Sequence, residues 1–294
     1  MSDWKNNPPK YVIVSPVRNE EKFLEGTIKS VVSQTVKPVE WIIVDDGSTD
    51  GTAAIIDRYA EQSNWIRPVH RANRGFRQSG GGVMEAFNDG YKALLCKDWD
   101  FVVKLDGDLT FEPDYFEKLL DRFMAEPALG ITGGTLYSIQ NGEMTMDRNP
   151  RFHVRGATKI YRRECWEQIG GLWPAPGWDT IDETSANMRG WVTMSIPEVL
   201  ANHHRPTGSA DGSWRDSVKH GLACYIAGYH PLYLVASSFY RLLRRPYPVP
   251  FVGGFYGFLR GYFNHIPKVD DPALIKFVRK QQLKRLMGQE TIWR

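Results

Sequence analysis

Four times within the first 125 residues a short β-branched or aromatic run gives way to an amphipathic helical segment. The runs are YVIVSPV (11–17), WIIVDD (41–46), the weaker IRPVH (66–70) and DFVVKL (100–105). After the first, NEEKFLEGTIKSVVSQT opens with Asn19 as its expected cap and puts Phe23, Leu24, Ile28, Val31 and Val32 on one face. GSTDGTAAIIDRYAEQ turns Ile55, Ile56, Tyr59 and Ala60 inward, and VMEAFNDGYKALLC follows a glycine-rich loop. A fourth helix is expected over 111–124 through Tyr115, Phe116, Leu119, Leu120 and Phe123. Alternation of this kind predicts an α/β fold, a mostly parallel sheet with helices on both faces. Ligands of such sheets bind at the carboxyl ends of the strands. Acids gather there: Asp45 and Asp46 close the second run, Asp106 and Asp108 follow the fourth. The loop after the first run lacks GxGxxG, and no GxxxxGK[ST] occurs, which disfavours dinucleotide and P-loop phosphate sites.

Past residue 130 the texture changes to GITGGTLYSI, a hairpin-like QNGEMTMDRNP and scattered tryptophans. The formal net charge of +3 is too small to argue for nucleic acid, but it is unevenly spread. Residues 241–294 hold 11 Lys and Arg against 3 Asp and Glu, a net +8, which leaves −5 on residues 1–240. In this tail FVGGFYGFLRGYF offers aromatic area, and LIKFVRKQQLKRLM mixes leucines with Lys276, Arg279, Lys280, Lys284 and Arg285. Apolar-plus-basic segments lie in anionic interfaces, so the tail is expected to sit peripherally on an inner membrane leaflet. A homodimer interface is the competing occupant. The most apolar stretch, 222–240, is interrupted by His230, Pro231 and two serines and is not expected to span. MSDWKNNPPK shows no signal-peptide core, and Cys96, Cys165 and Cys224 lie far apart as reduced thiols would, so a cytoplasmic setting is expected.

KLDGDL (104–109) raises the chemical question. Asp-Gly is a common turn element. Two neighbouring carboxylates nevertheless resist joint ionisation, and a turn gains nothing from that. A hard divalent cation between them would neutralise them and bridge a diphosphate.

In order and spacing, VSPVRNEEKFLEGTIKSVVSQT, IIVDDGSTDGT, NRGFRQSGGGVMEAFNDG and KLDGDL resemble the family 2 glycosyltransferases of GT-A fold. The likeness is specific to about residue 125, looser through GATKIYRRECWEQIGG, WDTIDE and HHRPTGS, and gone after roughly 240. It implies a GT-A domain over 1–240, with a nucleotide-binding half (1–125) and an acceptor-binding half (126–240), and an amphipathic extension over 241–294. It implies that Asp45 and Asp46 meet the nucleotide base and ribose, with Pro16, Arg18 and Glu20 lining the same pocket. Arg74 and Gly75 run past the base and diphosphate. Asp106 and Asp108 match the metal-binding D-x-D for Mg2+ or Mn2+, with Asp108 the direct ligand. His203 or His204 completes the metal shell, although a histidine pair is ordinarily a solvated or core feature, and Arg205 approaches the diphosphate.

The family's general base lies in a later acidic motif. WDTIDE departs from that pattern and offers Asp179, Asp182 and Glu183. Distance to Gly190 favours Asp179, the adjacent acidic pair favours Asp182–Glu183, and Asp182 is the residue taken. Trp173, Trp178 and Trp191 flank the motif as sugar-stacking or core residues, and Arg162 and Arg163 read as surface charge. The resemblance implies inverting transfer of one sugar from a nucleotide sugar, a UDP-sugar first, to a lipid-linked or cell-surface glycan acceptor. The rivals are a sugar-1-phosphate nucleotidyltransferase, disfavoured because SPVRNEE replaces its glycine-rich loop, and a silent nucleotide- or sugar-binding partner of a membrane assembly.

Overall fold

The computed structural model describes residue 4 and residues 8–293, apart from 76–80, 141, 148, 206–211 and 243–248. Strands β1 (Tyr11–Val17) and β2 (Glu40–Asp45) are buried at every position. Helices α1 (Leu24–Val32) and α2 (Thr52–Gln62) cover one face of them. β3 (Ile66–His70) lies at the sheet edge, and its burial alternates accordingly. α3 (Gly81–Ala93) covers the opposite face, and β4 (Phe101–Leu105) is again wholly buried. Along the central strands Ile13, Ile43 and Val103 point into one core layer, while Val12, Val14, Ile42, Val44 and Val102 point into the other. Two covered faces explain why these strands read as continuous apolar runs.

The chain continues through β5 (Leu109–Phe111), α4 (Tyr115–Ala125), β6 (Leu129–Gln140), β7 (Glu143–Met146), β8 (Thr158–Arg162), α5 (Arg163–Ile169), α6 (Trp178–Met188) and β9 (Val192–His203). Among the described residues, nine strands form one sheet of order β3-β2-β1-β4-β8-β6-β9-β5, with β7 paired to β6 as the expected hairpin. β3, β2, β1 and β4 are mutually parallel; β8 joins β4 antiparallel.

Three local expectations change. α1 begins at Leu24, and Asn19 is no cap: it stands at φ 55°, accepts from the Thr49 N–H at 2.8 Å and so ties the β1 loop to the β2 loop. Phe111 belongs to β5, opposite Ala201 of β9, and the next helix starts at Tyr115. Arg162 is not surface charge. Its guanidinium packs against the rings of both Phe101 and Phe123 and donates to the Leu129 carbonyl at 2.9 Å, and burial lowers its pKa.

Four further helices follow: α7 (Gly212–Ile226), α8 (Pro231–Leu242), α9 (Val249–Phe263) and α10 (Pro272–Leu286). They enclose a third core with Ile181 of α6, built on Tyr225, Leu234, Phe258, Leu274 and Val278. α7 and α9 cross so closely that a Cβ on Gly221 would stand 1.9 Å from the Gly254 carbonyl oxygen, and one on Gly257 2.0 Å from that of Val218. Asp271 caps α10 by accepting from the Leu274 N–H at 2.9 Å, with Pro272 at the first turn. Gly228, at φ 73°, separates α7 from α8, and no helix of the described residues is long and apolar enough to cross a membrane.

Candidate functional site

The loops leaving β1, β2, β3 and β4 meet at one edge of the sheet. Asp46 receives Arg71 Nη1 on Oδ1 at 2.5 Å and Arg74 Nη2 on Oδ2, while Arg18 Nη1 donates to its main-chain oxygen at 2.6 Å. Three guanidinium groups therefore converge on one acid. Arg74 also reaches Glu85 at 2.9 Å, and Arg18 reaches Asn73 Oδ1 at 2.9 Å. Gly47, at φ 70°, passes so close to Asn73 that a Cβ would meet its Cα at 2.5 Å, so this crossing of loops requires glycine. Asp45 accepts from the Ser48 N–H at 2.9 Å and faces His70 at 3.4 Å. Pro16 is buried near the end of β1, and Gly75, at φ 78°, donates to Asn73 Oδ1 at 2.8 Å.

Asp106 and Asp108 stand at the end of β4 with different partners. Asp106 keeps 31% of its side chain exposed and pairs with Lys104 Nζ. Desolvation still pushes its carboxyl above the ordinary value, against the pull of Lys104. Asp108 Oδ2 takes Arg205 Nε at 2.9 Å and lies 3.5 Å from His203 Nε2. Burial alone would raise Asp108, but His203 and Arg205 outweigh it and hold the carboxyl below its usual range. Glu20 joins through Arg205 Nη2, its other oxygen, Oε2, is buried without a partner among the described residues, and burial pushes its pKa up to about 7. His204 turns aside: its ring meets Thr110 Oγ1 at 2.9 Å and stacks on Phe23 at 5.6 Å.

Among the described residues no three His, Cys, Asp or Glu side chains are gathered as a metal cage. The donor set nevertheless suits a hard divalent ion. A carboxylate and an imidazole share one point at Asp108 and His203, and the orphaned Glu20 oxygen belongs to the same cluster.

The acids of α6 part company. Asp182 is 3% exposed and saturated: Lys159 Nζ stands at 2.9 Å from Oδ2, Tyr161 Oη donates at 2.5 Å, and the Glu183 N–H donates to Oδ1 at 2.6 Å. Glu183 is equally occupied, by His153 at 2.9 Å and the Val154 N–H at 2.7 Å. Asp179 is half-exposed in the first turn, beside Gly156, where a Cβ would come within 3.5 Å of its own. The Gly156 carbonyl accepts from Lys104 Nζ at 2.6 Å, the same ammonium that holds Asp106. Trp178 is buried, with Lys104 and Lys159 5.3 and 5.4 Å from its ring centre; Trp191 donates to Gln168 at 2.9 Å, and Trp173 is exposed.

A match to the glycosyl transferase family 2 description covers residues 12–175, more than half the chain. The chain is a family 2 glycosyltransferase. Curated relatives of this glycosyltransferase include the putative glycosyltransferase EpsH of Bacillus subtilis, 32% identical over 179 residues (54% of this chain, 48% of EpsH). Another is the putative teichuronic acid biosynthesis glycosyltransferase TuaG of the same organism, 33% identical over 137 residues (46% of this chain, 50% of TuaG). The chain thus spans about half the length of these relatives. Among solved structures, S. aureus TarS 1–349 in complex with UDP-GlcNAc superposes with TM-score 0.55 at 16% identity, over 94% of this chain and 81% of that one. A mannosyltransferase from Pyrobaculum calidifontis, in complex with GDP-Man and Mn2+, gives 0.54 at 17%, over 96% and 76%. The fold is that of the GT-A glycosyltransferases.

Sequence reasoning missed three residues that hold the acids of this candidate site. Arg71 directly follows the third strand, and the strand-end rule that picked out Asp46 would have found it. Lys104, two residues before Asp106, was legible in KLDGDL itself. Lys159 left no signal, because only tertiary packing buries a lysine under α6.

Proposed function

We propose that this glycosyltransferase moves one sugar from a nucleotide sugar to a hydroxyl of a lipid-linked or cell-surface glycan precursor, with inversion at the anomeric carbon. The observation that carries the reading is the arrangement of charge at one sheet edge: an arginine cradle at Asp46, the Asp108–His203–Arg205 cluster, and Asp106 held by Lys104, whose ammonium also reaches the carbonyl of Gly156, a neighbour of the half-exposed Asp179. The donor we propose is a UDP-sugar, the class bound in the TarS complex.

We assign the general base to Asp179 and a structural role to Asp182, which has no free lone pair toward the cleft and is locked to Lys159. A sugar hydroxyl is too weakly acidic to attack unaided, so the Asp179 carboxylate takes its proton as the new oxygen–carbon bond forms. The bond from the anomeric carbon to the diphosphate oxygen breaks in the same step, and attack from the face opposite the leaving group inverts the centre. Negative charge then grows on the nucleotide diphosphate, and Arg18, Arg74 and Arg205, gathered around Asp46 and Asp108, would stabilise it. Asp108 and His203, with Asp106, would hold Mg2+ or Mn2+, which when bound neutralises diphosphate charge. The basic C-terminal helices would set the enzyme against the cytoplasmic face of an anionic membrane.

The test is nucleotide release from UDP-sugars by purified protein with Mn2+, with and without glycan acceptors. Asp108→Asn should abolish it. Turnover that persists in EDTA and survives that substitution would remove the metal role, and pyrophosphate release from UTP would replace the reading with nucleotidyl transfer.

A further inference from the structure

The C-terminal helices carry two surfaces that sugar transfer does not use. The first is apolar. α8 exposes Leu232, Val235 and Phe239, and α9 exposes Val252, Tyr256 and Phe263, each set at helical spacing on one face. Phe263 is 78% exposed. The second is a groove of about 770 Å3 along α10. Lys276, Lys280 and Lys284 form one wall at every fourth residue, and Arg279 stands in the next row. Ile275, Leu283 and Met287 share that row with Arg279 and supply an apolar floor.

No acid lines the groove, and among the described residues none of its four cations is paired with one. Like charges four apart on a helix repel, so this wall is self-destabilising until an anion meets it. Arg279 is already fixed, its Nε donating to the Gly228 carbonyl at 2.9 Å, so its ordering precedes the ligand. His230 also lines the groove, and its Nδ1 accepts from the Leu232 N–H at 3.2 Å, so the groove adjoins the start of α8. Cations beside an apolar floor, continuous with an aromatic and aliphatic surface, complement a ligand with an anionic head and a hydrocarbon body. A nucleic acid would have no use for that apolar surface.

We propose that the α10 groove binds the phosphate headgroup of an anionic phospholipid, while the exposed faces of α8 and α9 rest in the interfacial layer. The inference rests on the reading of these helices as membrane-facing and adds the site that recognises the lipid.

Co-sedimentation of the 294-residue chain with phosphatidylglycerol and with phosphatidylcholine vesicles tests it. Wild type should partition to the former only. K276E/K280E/K284E should bind at least about a hundredfold more weakly, since each basic residue at an anionic surface is worth a factor of roughly five. L232S/F239S should also weaken binding, and K276Q/K280Q/K284Q, which keeps helix-forming residues, should fall between wild type and the reversal. Equal binding of wild type and both lysine variants to phosphatidylglycerol would overturn the groove and leave membrane attachment standing. Wild type that binds no vesicle, or that is retained only by single-stranded RNA, would overturn both.

Discussion

At the scale of single residues, the site turns on two aspartates three positions apart in one helix. Asp179, the base we propose, is half-exposed, and Asp182 neutralises a lysine that is fully buried. Their asparagine variants should therefore fail in different ways. Asp179→Asn should lower kcat by about 10²–10⁴ with an unchanged melting temperature, the usual range for loss of a general base. Asp182→Asn should destabilise the fold by about 3 kcal/mol in urea titration, because Lys159 loses a buried counter-charge. The reverse pattern would exchange their roles. None of this division is visible in WDTIDE, where both acids look alike. It arises because β8 brings Lys159 and Tyr161 beneath the helix, a contact set by sheet topology. Asp46, Asp106 and Asp108, by contrast, were legible, because their position at strand ends follows from the alternation of runs alone.

The central elements were readable for a plain physical reason. β1, β2 and β4 are covered on both faces, so burial writes itself into consecutive apolar residues. Element ends were harder. Asn19 has the side chain of a helix cap, but its amide oxygen serves Thr49 across the loop, a partner with no sequence signature nearby. Arg162 looked like surface charge because a guanidinium packed against two phenyl rings requires knowing that β8 lies against β4 and α4. The helical extension gives a test of its own. Gly257→Ala drives a methyl group into the Val218 carbonyl at the α7–α9 crossing, and overpacking of that kind destabilises by about 1–3 kcal/mol. A fall in melting temperature without change in donor affinity is expected.

For the whole molecule, a body of net −5 carries a tail of net +8, and that asymmetry should govern how it meets a charged surface. Partitioning to anionic vesicles should fall steeply as salt rises from about 0.05 to 0.5 M, as the Debye length shrinks below about 10 Å. Binding that ignores salt would mean that apolar contact alone holds the protein. The cleft itself answers to a different constraint. Lys104 and Lys159 stand opposite each other on β4 and β8 with the Trp178 indole against both, one ammonium anchored to Asp106 and the other to the first turn of α6. The end of β4 and the start of α6 are thereby riveted into one jaw, and neither lip can drift without dragging the other.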